Sequence, residues 1–176
     1  MTVSTVEMPS RSGDIDRLVG RFRDCELTHA EWTHRAHLIV GLWHVWHHGP
    51  DRALVLLRER IRRLNRSLGV ANTDDSGYHE TVTRFYVHVL DRCRVELHGE
   101  DAGPESRGEL PTGLCVEVSD RLMADREIAL RYYSRELLVS TRARREWVEP
   151  DLAPLSDAVV PETGTESDSG TESETE

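Results

Sequence analysis

Two features of the sequence predict an all-α fold, a compact bundle of five to six helices. Apolar side chains recur at helical spacing in several segments, and no convincing run alternates with the period of two that marks a half-buried strand. The bundle is expected to occupy residues 13–154, after a disordered N-terminus over residues 1–12. Residues 155–176 consist mainly of Ser, Thr, Gly and acidic residues, so they predict a disordered acidic tail.

Two long helices are predicted on either side of Gly49. A capping-box pattern that starts at Thr28 predicts a helix over about residues 28–48. Gly49 is a natural residue to follow the end of that helix, and Pro50 is well suited to begin the next one, which extends over about residues 51–67. Because the connection is so short, the two helices are expected to pack antiparallel.

Several further helical segments are predicted, beginning near Asp14 and at about residues 78–97, 114–124, 126–133 and 141–147, the last with Ser140 as its N-cap. Residues 70–77 are rich in Asn, Thr, Asp and Ser, which form tight turns. Residues 99–113 hold Gly, Pro, Glu and Ser, a composition typical of a mobile connection.

Composition excludes several classes of function. The chain has no lysine among its 22 basic residues, which excludes a P-loop, a protein kinase and Schiff-base chemistry. The net charge is −10, with seven acidic residues and no basic one from residue 155 onward, so no nucleic-acid partner is expected. Three widely spaced cysteines favour a reducing cytoplasm, and the most apolar stretch, residues 36–46, is too short to span a membrane.

A row of histidines follows one edge of the apolar face of the helix predicted over residues 28–48. His34 and His37 are three residues apart, so both rings can point toward a common point. Neutral imidazole is a good ligand for divalent transition metals. We therefore predict that His34 and His37 bind a metal ion.

A second polar group opens the helix predicted over residues 78–97. His79 and Glu80 are expected in its first turn, where one or both could complete a site of three histidines, or of two histidines and one carboxylate. Such a site suits Fe(II) or Zn. If Glu80 is not a ligand, it is the natural general base. The other predicted site residues are Tyr78 and Arg84, as further catalytic residues, and Trp32, Arg35, Asp74 and Thr83, as side chains that line the substrate pocket.

Each of these residues also has a structural interpretation. The three histidines at 44, 47 and 48 complement the dipole at a helix C-terminus, and Glu80 is favoured by the dipole in a first turn. The tryptophans are more typical of core than of a substrate platform. A functional site is favoured because two separate segments place possible ligands, His34, His37 and His79, within an apolar pattern. Histidines that are buried there need a partner, and a metal ion is one such partner.

The motifs Trp32-Thr-His-Arg-Ala-His-Leu38 and Gly77-Tyr-His-Glu-Thr-Val-Thr-Arg84, with Asn72-Thr-Asp between them, resemble those of a family of small, uncharacterised bacterial proteins. The family pattern is W-T-H-x-A-H-L followed by Y-H-E-T-x-T. The resemblance covers roughly residues 20–155. It implies a boundary between the body and the tail, and it singles out His34, His37, His79 and Glu80.

These observations predict a metal-dependent enzyme that acts on a small molecule, with redox or lyase chemistry in a biosynthetic pathway. The alternative is a helical protein that binds a ligand or partner without chemistry, with the histidines and Glu80 as a hydrogen-bonded polar cluster. In a third hypothesis the acidic tail is a protein-interaction segment.

Overall fold

The computed structural model describes residues 12–101 and 103–155, and within these ranges the chain is all-helical with no strand, as the sequence predicts. The helices are α1 (Ser12–Arg23), α2 (His34–Ser67), α3 (Glu80–His98), α4 (Thr112–Ala124), α5 (Arg135–Val139) and α6 (Thr141–Arg145), with 3-10 turns at Pro104–Ser106 and Ile128–Arg131. Apart from Ser12 and Leu155, the predicted disordered N-terminus and acidic tail lie outside the described residues. No helix in the described part of the chain is both long enough and apolar enough to cross a membrane.

The predicted break at Gly49 is confirmed and folds α2 back on itself. Gly49 has φ 70° and ψ 164°, which separates an N-terminal segment, residues 34–48 (α2N), from a C-terminal segment, residues 50–67 (α2C). His44 on α2N lies 2.6 Å from the guanidinium of Arg60 on α2C. A straight helix would separate residues 16 positions apart by about 24 Å. The two segments therefore lie side by side, as the short connection predicts.

The predicted start of the second helix at Thr28 is wrong. The helix begins at His34, with Thr33 as the N-cap whose hydroxyl accepts a backbone N–H of the first turn. Half of the predicted capping box does form, because Glu31 accepts the Thr28 N–H at 2.9 Å. The same carboxylate is held by Arg21 of α1 at 2.5 and 2.9 Å. The turn therefore ties α1 to the start of α2 instead of extending the helix.

The start of α3 also differs from the prediction, which placed it at about Tyr78. The helix begins at Glu80, and His79 is its N-cap. The preceding loop is fixed by Asn72, whose side-chain oxygen accepts the Tyr78 N–H at 3.0 Å. Gly77 has φ 74°, and a Cβ atom there would lie 2.5 Å from a backbone carbonyl of the loop. The loop is therefore built around a position that only glycine occupies without strain.

The segment over residues 99–113, expected to be a mobile connection, is tethered to α2N. The buried Arg107 side chain donates to the carbonyls of Val45 and Trp46 at 3.2 and 2.9 Å and pairs with Asp101. The Trp46 indole in turn donates to the Gly108 carbonyl at 2.8 Å. Turn-forming composition predicted a loop correctly, but not these long-range hydrogen bonds.

The C-terminal part of the domain contains shorter helices than predicted. Residues 126–133 form only a 3-10 turn, and the last helix ends at Arg145, although its predicted N-cap Ser140 is confirmed. The sequence analysis missed α5, which Ser134 caps. Thr81 anchors this part to α3, since its hydroxyl donates to the Glu146 carbonyl at 2.7 Å.

Candidate functional site

A cavity with a volume of about 340 Å³ lies between α2N, α2C and α3. We call it the α2–α3 cavity. Its lining is Trp32, then His34, His37, Leu38 and Gly41 from α2N, Leu57 and Ile61 from α2C, and Val82, Thr83, Tyr86, Val87 and Leu90 from α3. Most of these side chains are apolar, so the few polar groups stand out as the places where a ligand could be oriented.

His37 presents an open acceptor nitrogen at this cavity. Its Nδ1 lies 2.7 Å from the Thr33 carbonyl, which can only accept, so the ring proton is on Nδ1 and Nε2 carries a lone pair. The ring stacks on Trp32 with 3.7 Å between ring centroids. Desolvation by the surrounding protein lowers the pKa of His37, although the Thr33 hydrogen bond opposes it, so the imidazole is neutral at pH 7.

His34 places a second imidazole in the cavity, one turn away. Its Nε2 is buried and has no hydrogen-bond partner in the described structure. The ring meets Tyr86 edge to face, with 5.5 Å between ring centroids. Burial and the charge of Arg126 lower the pKa of His34, so it too is neutral at pH 7. A buried nitrogen without a partner costs about 1–3 kcal/mol, which marks it as a position that a ligand would satisfy.

His79, a predicted metal ligand, does not line the cavity, and both of its ring nitrogens are engaged. As the N-cap of α3, its Nδ1 accepts the Val82 N–H at 3.3 Å. Its Nε2 donates to the Leu138 carbonyl at 2.8 Å. The proton is therefore on Nε2, the opposite tautomer from His37. In this arrangement His79 joins α3 to α5.

Glu80, predicted as a ligand or general base, is a buried carboxylate in an ion pair outside the cavity. Arg58 of α2C donates to both carboxylate oxygens, at 2.8 and 2.5 Å, and the Tyr78 hydroxyl donates at 3.0 Å. Burial raises the pKa of Glu80, but the bonds from Arg58 and Tyr78 outweigh it and leave the pKa lowered. Burial and the neighbouring carboxylate raise the pKa of Tyr78 to about 12. This cluster holds α3 against α2C.

The remaining predicted residues divide between the cavity and the surface. Trp32 and Thr83 line the cavity. Arg84 instead places its guanidinium over the Trp147 ring, 4.6 Å from the centroid. Arg35 reaches an aspartate of α4 at 2.6 Å, and the exposed Asp74 pairs with an arginine of α6 at 2.7 Å. None of these last three side chains faces the cavity.

The structure thus brings together four of the predicted residues, Trp32, His34, His37 and Thr83. Within the described ranges, no group of three or more His, Cys, Asp or Glu side chains is placed to hold a metal ion.

Sequence reasoning missed the apolar wall that α3 contributes to the cavity. Thr83, Tyr86, Val87 and Leu90 follow the spacing i, i+3, i+4 and i+7 of one helix face, a signal that was present in the sequence. Gly41 was also missed as a contact. A Cβ atom there would lie 2.7 Å from Leu90 Cδ1, so glycine lets α2N and α3 approach closely beside the cavity.

Comparison of the chain with models of known protein families, with curated proteins and with solved structures gives no match. The resemblance to a family of small bacterial proteins stays a prediction.

Proposed function

We propose that the protein binds a small molecule in the α2–α3 cavity, with an apolar body against α3 and a hydroxyl or similar polar group at His34 and His37. The observation that carries this proposal is the unpartnered, buried Nε2 of His34 one helical turn from His37, whose Nε2 is open, within a mostly apolar lining.

The size and chemistry of the cavity support a small ligand. A volume of about 340 Å³ falls at the lower end of the range for small-molecule pockets, roughly 300–1,000 Å³. Because His37 offers a lone pair at Nε2, the preferred polar group is a hydrogen-bond donor. A neutral imidazole with its proton held on Nδ1 by a carbonyl is also the arrangement of a general base, so the same contact would suit proton abstraction from a bound hydroxyl.

The test compares two probes that differ by one hydroxyl, phenol and toluene, titrated into the protein and followed by NMR. Phenol is expected to bind about three- to ten-fold more tightly, since one net hydrogen bond contributes about 0.5–1.5 kcal/mol. His37→Phe keeps an aromatic ring on Trp32 but removes the acceptor, so it should abolish this preference. His98→Phe is the matched control, because His98 packs on Trp46 outside the cavity.

Equal affinities for phenol and toluene would contradict the proposal. Loss of the preference for phenol in His98→Phe as well as in His37→Phe would also contradict it, because His98 lies outside the cavity.

A metal-dependent enzyme at the same cavity is the second candidate, and one further observation favours it. Histidines that bind metals usually donate their other ring N–H to a carbonyl or carboxylate, as His37 does to Thr33. His34 and His37 would supply two neutral imidazoles to Fe(II) or Zn. Since His79 and Glu80 have other partners, substrate or solvent would fill the remaining positions. Redox or lyase chemistry on a small biosynthetic substrate remains our proposal for such a centre.

Elemental analysis distinguishes the two candidates. After incubation with Fe(II) or Zn and removal of the excess, a metal centre predicts about one equivalent bound, lost in His37→Phe and kept in His98→Phe. Much less than one equivalent of bound metal, or a full equivalent that is still bound by His37→Phe, would contradict a metal centre at His37. The metal-free ligand site would then be the remaining candidate.

A further inference from the structure

A second concave site, separate from the α2–α3 cavity, is lined by three arginines. It has a volume of about 310 Å³ and lies between the end of α1 and the outer face of α2C. Arg23 and Asp24 contribute from α1, and Leu56, Glu59, Arg60 and Arg63 from α2C. We call it the arginine groove. We propose that the arginine groove binds the phosphate group of a soluble small molecule.

The arginines of the groove do not form ion pairs with the carboxylates beside them. Among the described residues, no ion pair joins Arg23, Arg60 or Arg63 to an acidic side chain, although Asp24 and Glu59 line the same groove. Many other arginines of the described chain do form such pairs, as Arg21 does with Glu31. With three arginines and two carboxylates in its lining, the groove has a formal net charge of +1, and its guanidinium groups are available to a bound anion.

Two of the three guanidinium groups are held in place by hydrogen bonds that leave their charge uncompensated. Arg60 donates to Nε2 of the fully buried His44, whose Nδ1 proton is fixed by the Val40 carbonyl at 2.7 Å. Arg63 donates to the carbonyl of Arg23 at the end of α1. Guanidinium groups that are positioned in advance lose less conformational freedom when they bind an anion.

Like charges crowd around Arg60. Burial lowers its pKa, and the charges of Arg23, Arg63 and Arg52 lower it further, while Glu59 alone opposes them. His48, next to the groove, shows the same effect, since burial and then the neighbouring arginines lower its pKa. Bringing cations together costs free energy in the empty site, and a bound anion would recover it.

Phosphate is the anion that suits this arrangement best. It carries up to two negative charges and several acceptor oxygens, which match guanidinium donors from more than one direction. The groove is a small, open concavity of about 310 Å³ and not an extended basic stripe, which favours a soluble phosphate compound over a nucleic acid.

The experiment titrates the full chain with inorganic phosphate and with pyrophosphate, at ionic strength held constant with sodium chloride, and follows backbone amide shifts by NMR. Saturable binding is expected near Arg23 and Arg63, tighter for pyrophosphate. Arg23→Gln and Arg63→Gln should each weaken it about five-fold or more, because each removes a charge-assisted hydrogen bond. The Arg23 side chain makes no hydrogen bond or ion pair with any other described residue, so Arg23→Gln is expected to fold normally.

Arg17→Gln is the matched control, since it removes one positive charge from α1 at an exposed side chain that pairs with Asp14. It should leave the affinity within about two-fold of the unmodified chain, as expected for a screened surface charge. Non-saturable shifts, or an equal loss in Arg17→Gln, would overturn the proposal. Binding to phosphatidic acid vesicles without binding to soluble phosphate or pyrophosphate would also overturn it.

Discussion

Replacing Glu80 by glutamine should destabilise the fold. The structure places this carboxylate in a partly buried ion pair with Arg58 that joins α3 to α2C, at 2.8 and 2.5 Å. Glutamine keeps the size of the side chain and one acceptor oxygen for the Tyr78 hydroxyl. The substitution therefore removes mainly the charge and one of the two bonds to the guanidinium.

The expected loss is about 2–3 kcal/mol. Removing one partner of a buried, hydrogen-bonded ion pair costs about 3–5 kcal/mol. The Glu80 side chain is only 8% exposed, but that of Arg58 is 38% exposed, so water can solvate the remaining cation and reduce the cost. In a domain of this size the loss corresponds to a decrease in Tm of about 5–10 °C.

Urea unfolding followed by circular dichroism measures the effect, with Glu146→Gln as control. Glu146 forms an exposed ion pair with Arg142, with side-chain exposures of 59% and 74%, so its substitution should change the free energy of unfolding by less than about 0.5 kcal/mol.

The difference between the unmodified chain and Glu80→Gln should also depend on pH. The pKa of Glu80 is lowered on folding, because the bonds from Arg58 and Tyr78 outweigh burial. The stabilisation is therefore present above the ordinary glutamate pKa of 4.5, and it is lost as the pH falls through the lower pKa of the folded state. An unchanged free energy of unfolding in Glu80→Gln, with a loss of ligand or metal binding, would refute a structural role and support the site predicted from the sequence.

Two further predictions concern the loop before α3 and the cysteines. Gly77→Ala should destabilise the fold by about 2–4 kcal/mol in urea unfolding, because a Cβ atom there meets a backbone carbonyl at 2.5 Å. Gly69 has the same φ of 74° but open space around it, so Gly69→Ala should cost only about 1–2 kcal/mol. Equal losses in the two variants would contradict the steric argument. Burial raises the pKa of both Cys93 and Cys115 to about 12. A thiol reagent at pH 7 should therefore modify only the partly exposed Cys25 in the native protein, and all three cysteines after denaturation. Rapid modification of all three thiols in the native protein would show that the core is open.

Local sequence signals predicted much of the fold because they act within a few residues. Gly49 and Pro50 marked the break in α2, and Ser140 marked the start of α6. The start of α2 was placed too early because the Thr28 pattern is typical of a helix N-terminus. In the structure, Glu31 accepts the Thr28 N–H as that pattern predicts, but it also binds Arg21 of α1 and no helix begins there. The competing partner lies in another helix, where local pattern gives no information.

Only the part of the candidate site that lies within one helix could be predicted from local sequence signals. His34 and His37 share one helix face, so their spacing alone placed them together. His79 and Glu80 were expected to join them on the strength of their chemistry. Their partners in the structure, the Leu138 carbonyl and Arg58, lie 59 and 22 residues away along the chain, so only the tertiary packing reveals them.

The protonation state of the histidine rings tests the proposed ligand site most directly, by long-range proton–nitrogen NMR at pH 7 with and without phenol. We predict a neutral His37 with its proton on Nδ1, a His79 with its proton on Nε2, and ring shifts on adding phenol at His34 and His37 alone. A proton on Nε2 of His37 in the free protein, or phenol-induced shifts at His79 but not at His37, would contradict the α2–α3 cavity as the binding site.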